Sequence, residues 1–108
     1  MTKEDRLVEA FAGIGLTLQP GLDTSAEGQY AVYTYDTDGS IYGDDHVILE
    51  FRSWIIVFVA PLATDQRVKR QQIRSTIEDL FEVLPSEEDA TGDTGGQKFI
   101  YTFETLEV

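Results

Sequence analysis

Two stretches of the chain carry apolar residues at helical spacing. The first series consists of Leu7, Phe11 and Ile14. The second, which is longer, consists of Ile73, Ile77, Leu80, Phe81 and Leu84. These periods predict a short helix from Lys3 to about Ala12 and a second helix that Thr64 or Asp65 caps and that Pro85 stops.

Three other stretches alternate in the manner of strands, at about 29–35, 46–59 and 98–104. The longest contains neither glycine nor proline, and we interpret it as one strand with a buried face. That face holds Val47, Leu49, Phe51, Ile55, Val57 and Val59. The other face turns apolar from Trp54 onward, which predicts that a helix covers it. A break at Arg52 and Ser53, giving two strands, stays open.

The order of these elements, αββ(β)αβ, predicts an α+β fold in which two helices pack on one face of an antiparallel sheet. Three polar segments read as loops, at 16–28, 36–45 and 86–96. With 108 residues, the chain 1–108 fits a single domain.

Charge and composition exclude several classes of function. The net charge of −12 argues against nucleic acid and anionic membranes as direct ligands. The absence of cysteine excludes disulfides and thiolate metal sites. No apolar run is long enough to cross a bilayer and no export signal is recognisable at the N-terminus, so we expect a cytoplasmic protein.

The segment YTYDTDGSIYGDD, residues 33–45, resembles a calcium loop in composition but not in spacing. Counted from Asp36, it offers Asp38 and Ser40 at the third and fifth positions, but Ile41 stands where an EF-hand needs glycine and Val47 where it needs glutamate. Turn residues on a solvated hairpin are the simpler interpretation. Weak cation binding by another arrangement stays open, and its ligands would be Asp36, Asp38, Asp44 and Asp45.

Catalytic and cofactor motifs find little support. The corner Asp44-Asp45-His46 would be needed for any transition-metal or hydrolase site, but neighbouring strand residues point to opposite faces and there is no second histidine and no cysteine. No Gly-x-Ser-x-Gly elbow is present. We therefore predict no enzyme activity, no cofactor and no metal, with a small hydrolase as a remote alternative.

Half of the basic residues are concentrated on the second predicted helix. They are Arg67, Lys69, Arg70 and Arg74. Acids follow in the C-terminal half of the helix, so its charge runs against the helix dipole. A solvated surface would explain this pattern, and so would an acidic partner such as another copy of the chain.

The ordered set of segments resembles the tail terminator, or tail completion, proteins of long-tailed bacteriophages and prophages, also called minor tail or head-to-tail joining proteins. The segments that carry the resemblance are the strand Tyr30–Tyr35, Tyr42-Gly43-Asp44-Asp45, the long strand Phe51–Val59, the amphipathic helix ending at Leu84, and the last strand closing on Tyr101–Glu104. The acidic, glycine-rich loop before the last strand departs from the family pattern.

This resemblance implies a non-enzymatic virion assembly protein. Its subunits form a ring, commonly a hexamer, that caps the tail tube, ends tail polymerisation and presents the head-attachment surface. The implied partners are the chain itself, the tail tube protein and a head-completion protein, in the host bacterial cytoplasm and then in the virion tail. Contact between Arg67–Arg74 and the Asp36–Asp45 hairpin would favour ring closure. The alternative is a small acidic secretion-type chaperone or another protein-binding module of α+β fold.

Overall fold

The computed structural model describes residues 2–43, 46–92 and 96–107, and for 38–43, 46–49 and Glu107 the description is of the backbone. Its elements are α1 (Lys3–Gly13), β1 (Leu18–Pro20), β2 (Tyr30–Gly43), β3 (His46–Ala60), α2 (Arg67–Phe81), β4 (Ser86–Asp89) and β5 (Gln97–Glu107). They form one five-stranded sheet and two helices, which confirms the predicted α+β fold.

The strands lie in the order β1-β2-β3-β5-β4. All neighbours are antiparallel except β1 and β2, which pair in parallel and make the sheet mixed. The two short edge strands lie in segments that we predicted as loops, 16–28 and 86–96. The prediction was wrong there because edge strands of three or four residues are held by backbone hydrogen bonds, which leave little side-chain pattern.

The first helix begins with a reciprocal cap. The side chain of Thr2 accepts a hydrogen bond from the backbone of Asp5, and the Asp5 carboxylate accepts one from the backbone of Thr2. Leu7 and Phe11 then bury fully against the sheet, as their spacing predicted.

The main core lies on the face of β3 that carries Trp54, Ile56 and Phe58, all fully buried. These side chains form one cluster with Leu7 and Phe11 of α1, so the helices cover this face. Ile73 and Ile77 of α2 belong to the same cluster. This confirms the prediction that a helix covers the face that turns apolar at Trp54. The face predicted as buried from the other parity holds buried residues as well, but in a smaller cluster.

The opposite face carries a second, smaller cluster. It consists of Val32, Val57 and Val59, with Tyr30, Ile55 and Ile100 packed against it. No helix belongs to this cluster among the described residues.

The second helix differs from its predicted bounds at both ends. Gln66 occupies the cap position without a side-chain capping bond, while Asp65 accepts a hydrogen bond from the backbone N–H of Arg67 at 3.1 Å. The helix ends at Phe81 because the next residue has a left-handed φ of 55°. Leu84, predicted as its last buried residue, is 73% exposed.

The β2–β3 hairpin is longer than the predicted strands. We expected a loop over 36–45, but β2 continues to Gly43 and β3 begins at His46, with register irregularities on the way. β3 is continuous through Arg52 and Ser53, so the alternative of two strands does not hold. We call the segment 36–53 the arm. It continues the hairpin beyond the pair of Tyr35 and Trp54, and the pair of Asp36 and Ser53 forms its base.

Candidate assembly interface

The basic residues of α2 are divided between internal contacts and the surface. Arg70 forms a two-bond ion pair with Glu87 of β4, with Nη2 2.7 Å from Oε1 and Nε 3.3 Å from Oε2. Its guanidinium also lies 4.2 Å from the centre of the Phe99 ring. The structure thus places this predicted interface residue in a contact that joins α2, β4 and β5.

The carboxylate of Glu87 is the centre of this contact. It also accepts a hydrogen bond from the hydroxyl of Tyr101, which is a fully buried residue. Burial by itself would raise the pKa of Glu87, but the hydrogen bonds from Arg70 and Tyr101 hold that pKa below its ordinary value. Burial, and then the Glu87 carboxylate, raise the pKa of the Tyr101 hydroxyl. The group therefore holds β4 against the helix.

The other three bases differ in the hydrogen bonds and ion pairs that they form within the subunit. Lys69 donates a hydrogen bond to the backbone carbonyl of Ile14, which joins the two helices. Arg67 pairs with Asp65, but the two side chains are 84% and 61% exposed, so the pair is solvated. That pairing lowers the pKa of Asp65 to about 2. Arg74 is exposed, and among the described residues it has no ion pair or hydrogen bond, although its charge acts on Glu87.

The acidic residues of the predicted interface lie in the arm. Asp36 is exposed and pairs with Ser53, on the face of the sheet away from the helices. Asp38 lies at a register irregularity of β2, and its backbone alone is described. Asp44 and Asp45 lie outside the described residues.

The acidic arm and the basic end of α2 lie at opposite ends of the subunit. Phe81 at the end of α2 stacks on Trp54, with ring centroids 6.1 Å apart, whereas Arg70 near its start lies on Phe99, which pairs with Phe58. The helix therefore runs antiparallel to β3 and toward the arm, so that its basic N-terminal end lies farthest from the arm. At about 3.3 Å per strand residue, Ser53 and Ala60 are about 23 Å apart. Arg67 and Asp36 can meet only between two copies of the chain.

The strands on either side of β2 and β3 do not extend to the outer part of the arm that the structure describes. Pairing with β5 ends at Glu50 and Glu107, and pairing with β1 ends at Tyr33. Within the described ranges, the part of the hairpin beyond Ser40 and Glu50 is therefore two-stranded. Isolated two-stranded ribbons are marginally stable in water, so such an arm gains from contact with another surface.

Two features of this region were missed from the sequence. Glu87 lies in a run that reads as a polar loop, and an Arg at one end of a helix gives no sign of its partner there. The guanidinium of Arg52 lies 4.2 Å from the ring centre of Tyr35, at the base of the arm. The only sequence signal for this contact of Arg52 with Tyr35 was an arginine in a strand, at the same parity as Trp54.

The chemistry needed for a metal centre is not assembled in the part of the chain that the structure describes. No group of three or more His, Cys, Asp or Glu side chains is placed there to hold an ion. The corner Asp44-Asp45-His46 lies largely outside the described residues. Likewise, none of the described helices has the length and apolar character to span a membrane.

The chain matches no protein-family model and no curated protein. Its assignment to a function therefore depends on the residues and geometry described above.

Proposed function

We propose that this protein is a non-enzymatic assembly protein that associates head to tail with copies of itself, in the manner of a phage tail terminator that caps the tail tube as a ring. The observation that carries the proposal is the arm, an acidic hairpin whose part beyond Ser40 and Glu50 is two-stranded and which lies at the opposite end of the subunit from Arg67, at the start of α2.

Two different and complementary surfaces on one subunit suit a heterologous contact. Such contacts close into rings when the rotation between subunits is right, whereas a two-fold dimer uses the same surface twice. The subunit is elongated, 55 Å against 25 and 20 Å, which separates the arm from the start of α2. The tail tube and a head-completion protein are the further partners that the sequence resemblance adds.

The chaperone alternative has less support. A chaperone of this type would offer an exposed apolar patch to its client. The apolar cluster on the helix-free face is instead closed on itself, since Val32, Val57 and Val59 are 4%, 9% and 2% exposed.

The proposal is tested by measuring mass in solution by sedimentation equilibrium, for the wild-type chain and for a variant lacking the arm. Replacing residues 37–52 by Asn-Gly joins Asp36 to Ser53, which already face each other in register. We expect the wild-type chain to form a closed species larger than a dimer and the arm-less variant to be a folded monomer, as judged by circular dichroism and by Trp54 emission.

A dimer whose mass does not change with concentration would contradict the proposal and favour the chaperone alternative. If the wild-type chain remains monomeric, the genes beside its own provide the test. The absence of tail-tube and head-completion genes beside it would then overturn the proposal.

A further inference from the structure

We infer that the outer surface of α2 receives the acidic arm of a second copy of this chain. The inference depends on the self-association proposed above and identifies the surface that accepts the arm. We call that surface the α2 crown, and its residues are Arg67, Val68, Gln71, Arg74 and Ser75, all exposed.

The crown follows from helical geometry. Its residues lie at i, i+1, i+4, i+7 and i+8, which places them along one side of the helix. The buried side of the same helix carries Ile73 and Ile77, so the crown points away from the core. Val68, with 72% of its surface exposed, gives the crown an apolar contact point between its two arginines.

Internal contacts decide which cations a partner can use. Arg70 is held by Glu87 and Phe99, and Lys69 by the carbonyl of Ile14. Arg67 and Arg74 remain on the surface, seven residues or about 10 Å apart along the helix. Arg67 can donate hydrogen bonds to a second carboxylate besides that of Asp65, because a guanidinium has five N–H donors.

The occupant is identified by its charge and its length. The segment 36–53 carries five carboxylates, Asp36, Asp38, Asp44, Asp45 and Glu50, and a single base, Arg52, whose guanidinium lies against the ring of Tyr35. Eight strand residues from Asp36 to Gly43 span about 23 Å, and the 15 residues of α2 span about 22 Å. The arm can therefore lie along the whole crown of a neighbouring copy.

The charge order of α2 agrees with an acidic neighbour. The first turn of the helix has no acid and the last turn no base, so both ends are unfavourable to the helix dipole. Carboxylates brought to the N-terminal half by another subunit would offset this disadvantage, and a chain with a net charge of −12 gains from a local contact that opposes its general self-repulsion.

A charge exchange tests the contact, with self-association constants measured by sedimentation at one ionic strength near that of the cell. The variants Arg67→Glu with Arg74→Glu, and Asp36→Arg with Asp38→Arg, each put like charges together. We expect each double variant to weaken self-association by at least ~10-fold. The chain with all four changes keeps the wild-type net charge, and we expect it to recover to within about 3-fold of wild type.

Changes in net charge are controlled by Glu9→Arg with Glu88→Arg, which alters the charge as much as the arm variant does at two other exposed positions. We expect this control to associate at least as well as wild type. Self-association that survives in both double variants, or that the fourfold exchange fails to restore, would overturn the inference and leave the proposed assembly function standing. A wild-type chain without self-association would overturn it as well.

Discussion

The guanidinium of Arg70 and the carboxylate of Glu87 form a two-bond pair that joins the helix α2 to the short edge strand β4. The pair is mostly buried, with the Glu87 side chain 13% exposed. It fixes β4 beneath α2 and holds the Arg70 guanidinium in a contact within the subunit.

Replacing Arg70 by alanine should destabilise the fold. The change leaves the Glu87 carboxylate without its main partner and exposes the face of Phe99, so we expect a loss of about 1–3 kcal/mol, between the values for exposed and for fully buried pairs. Urea unfolding followed by Trp54 emission gives the value. Arg74→Ala is the matched control on the same helix, for which we expect a change below about 0.5 kcal/mol. Equal losses in the two variants would show that the pair has no structural role.

The stabilisation from Glu87 should disappear in acid. Because its pKa is lowered in the folded protein from the ordinary 4.5, the stabilisation is present above that value and is lost as the pH falls through the folded pKa. We therefore expect wild type and Glu87→Gln to differ most in free energy of unfolding near neutral pH and to converge well below pH 4.5. A difference that stayed constant across this range would contradict the assignment of the lowered pKa.

The indole N–H of Trp54 is hydrogen-bonded to a side-chain hydroxyl. Its N–H donates to Oγ1 of Thr105 at 2.9 Å, and both residues are buried. Thr105→Val keeps the shape of the side chain but leaves the N–H unsatisfied, so we expect a loss of about 1–3 kcal/mol in the free energy of unfolding. Thr102→Val, an exposed position on the same strand, should change it by less than about 0.5 kcal/mol. The hydrogen bond is unimportant if both variants unfold at the same urea concentration.

Two glycines with the same backbone geometry should differ in their tolerance of a side chain. Gly96 and Gly21 have φ of 103° and 110°, but a Cβ at Gly96 would lie 2.8 Å from the carbonyl oxygen of Ala60, whereas nothing lies within 4 Å at Gly21. Both alanine variants carry the strain of a left-handed residue, about 1–2 kcal/mol. We expect Gly96→Ala to lose at least about 1 kcal/mol more, since a backbone oxygen cannot rotate away. Thermal unfolding of the two variants measures the difference, and equal midpoints would show that the carbonyl yields.

The buried residues of the helices and of the long strands could be predicted because apolar residues recur along the sequence with the period of each element. Leu7 and Phe11, and Ile73 and Ile77, recur at the spacing that one buried helix side requires, and all four are buried. Phe99, Tyr101 and Phe103 recur at every second position of the last strand and are buried in the same way. From such patterns the α+β fold and its two helices followed.

The tertiary structure decided what the local pattern leaves undetermined. Both faces of β3 are apolar beyond Trp54, and only the packing of α1 and α2 makes the Trp54 face the larger cluster and the Val57 face the smaller one. The edge strand at Glu87 depends on pairing with β5 and on a cation contributed from 17 residues earlier.

The sequence by itself determined the net charge of the chain, the basic cluster, the acidic hairpin and the periodicity of the core. Only the tertiary structure decided that Arg70 and Lys69 are used inside the subunit, that Arg67 and Arg74 stay on its surface, and that the arm lies at the opposite end. The physical reason is that charge and periodicity are properties of neighbouring residues, whereas the partner of a charged side chain is set by segments that meet only when the sheet and helices pack.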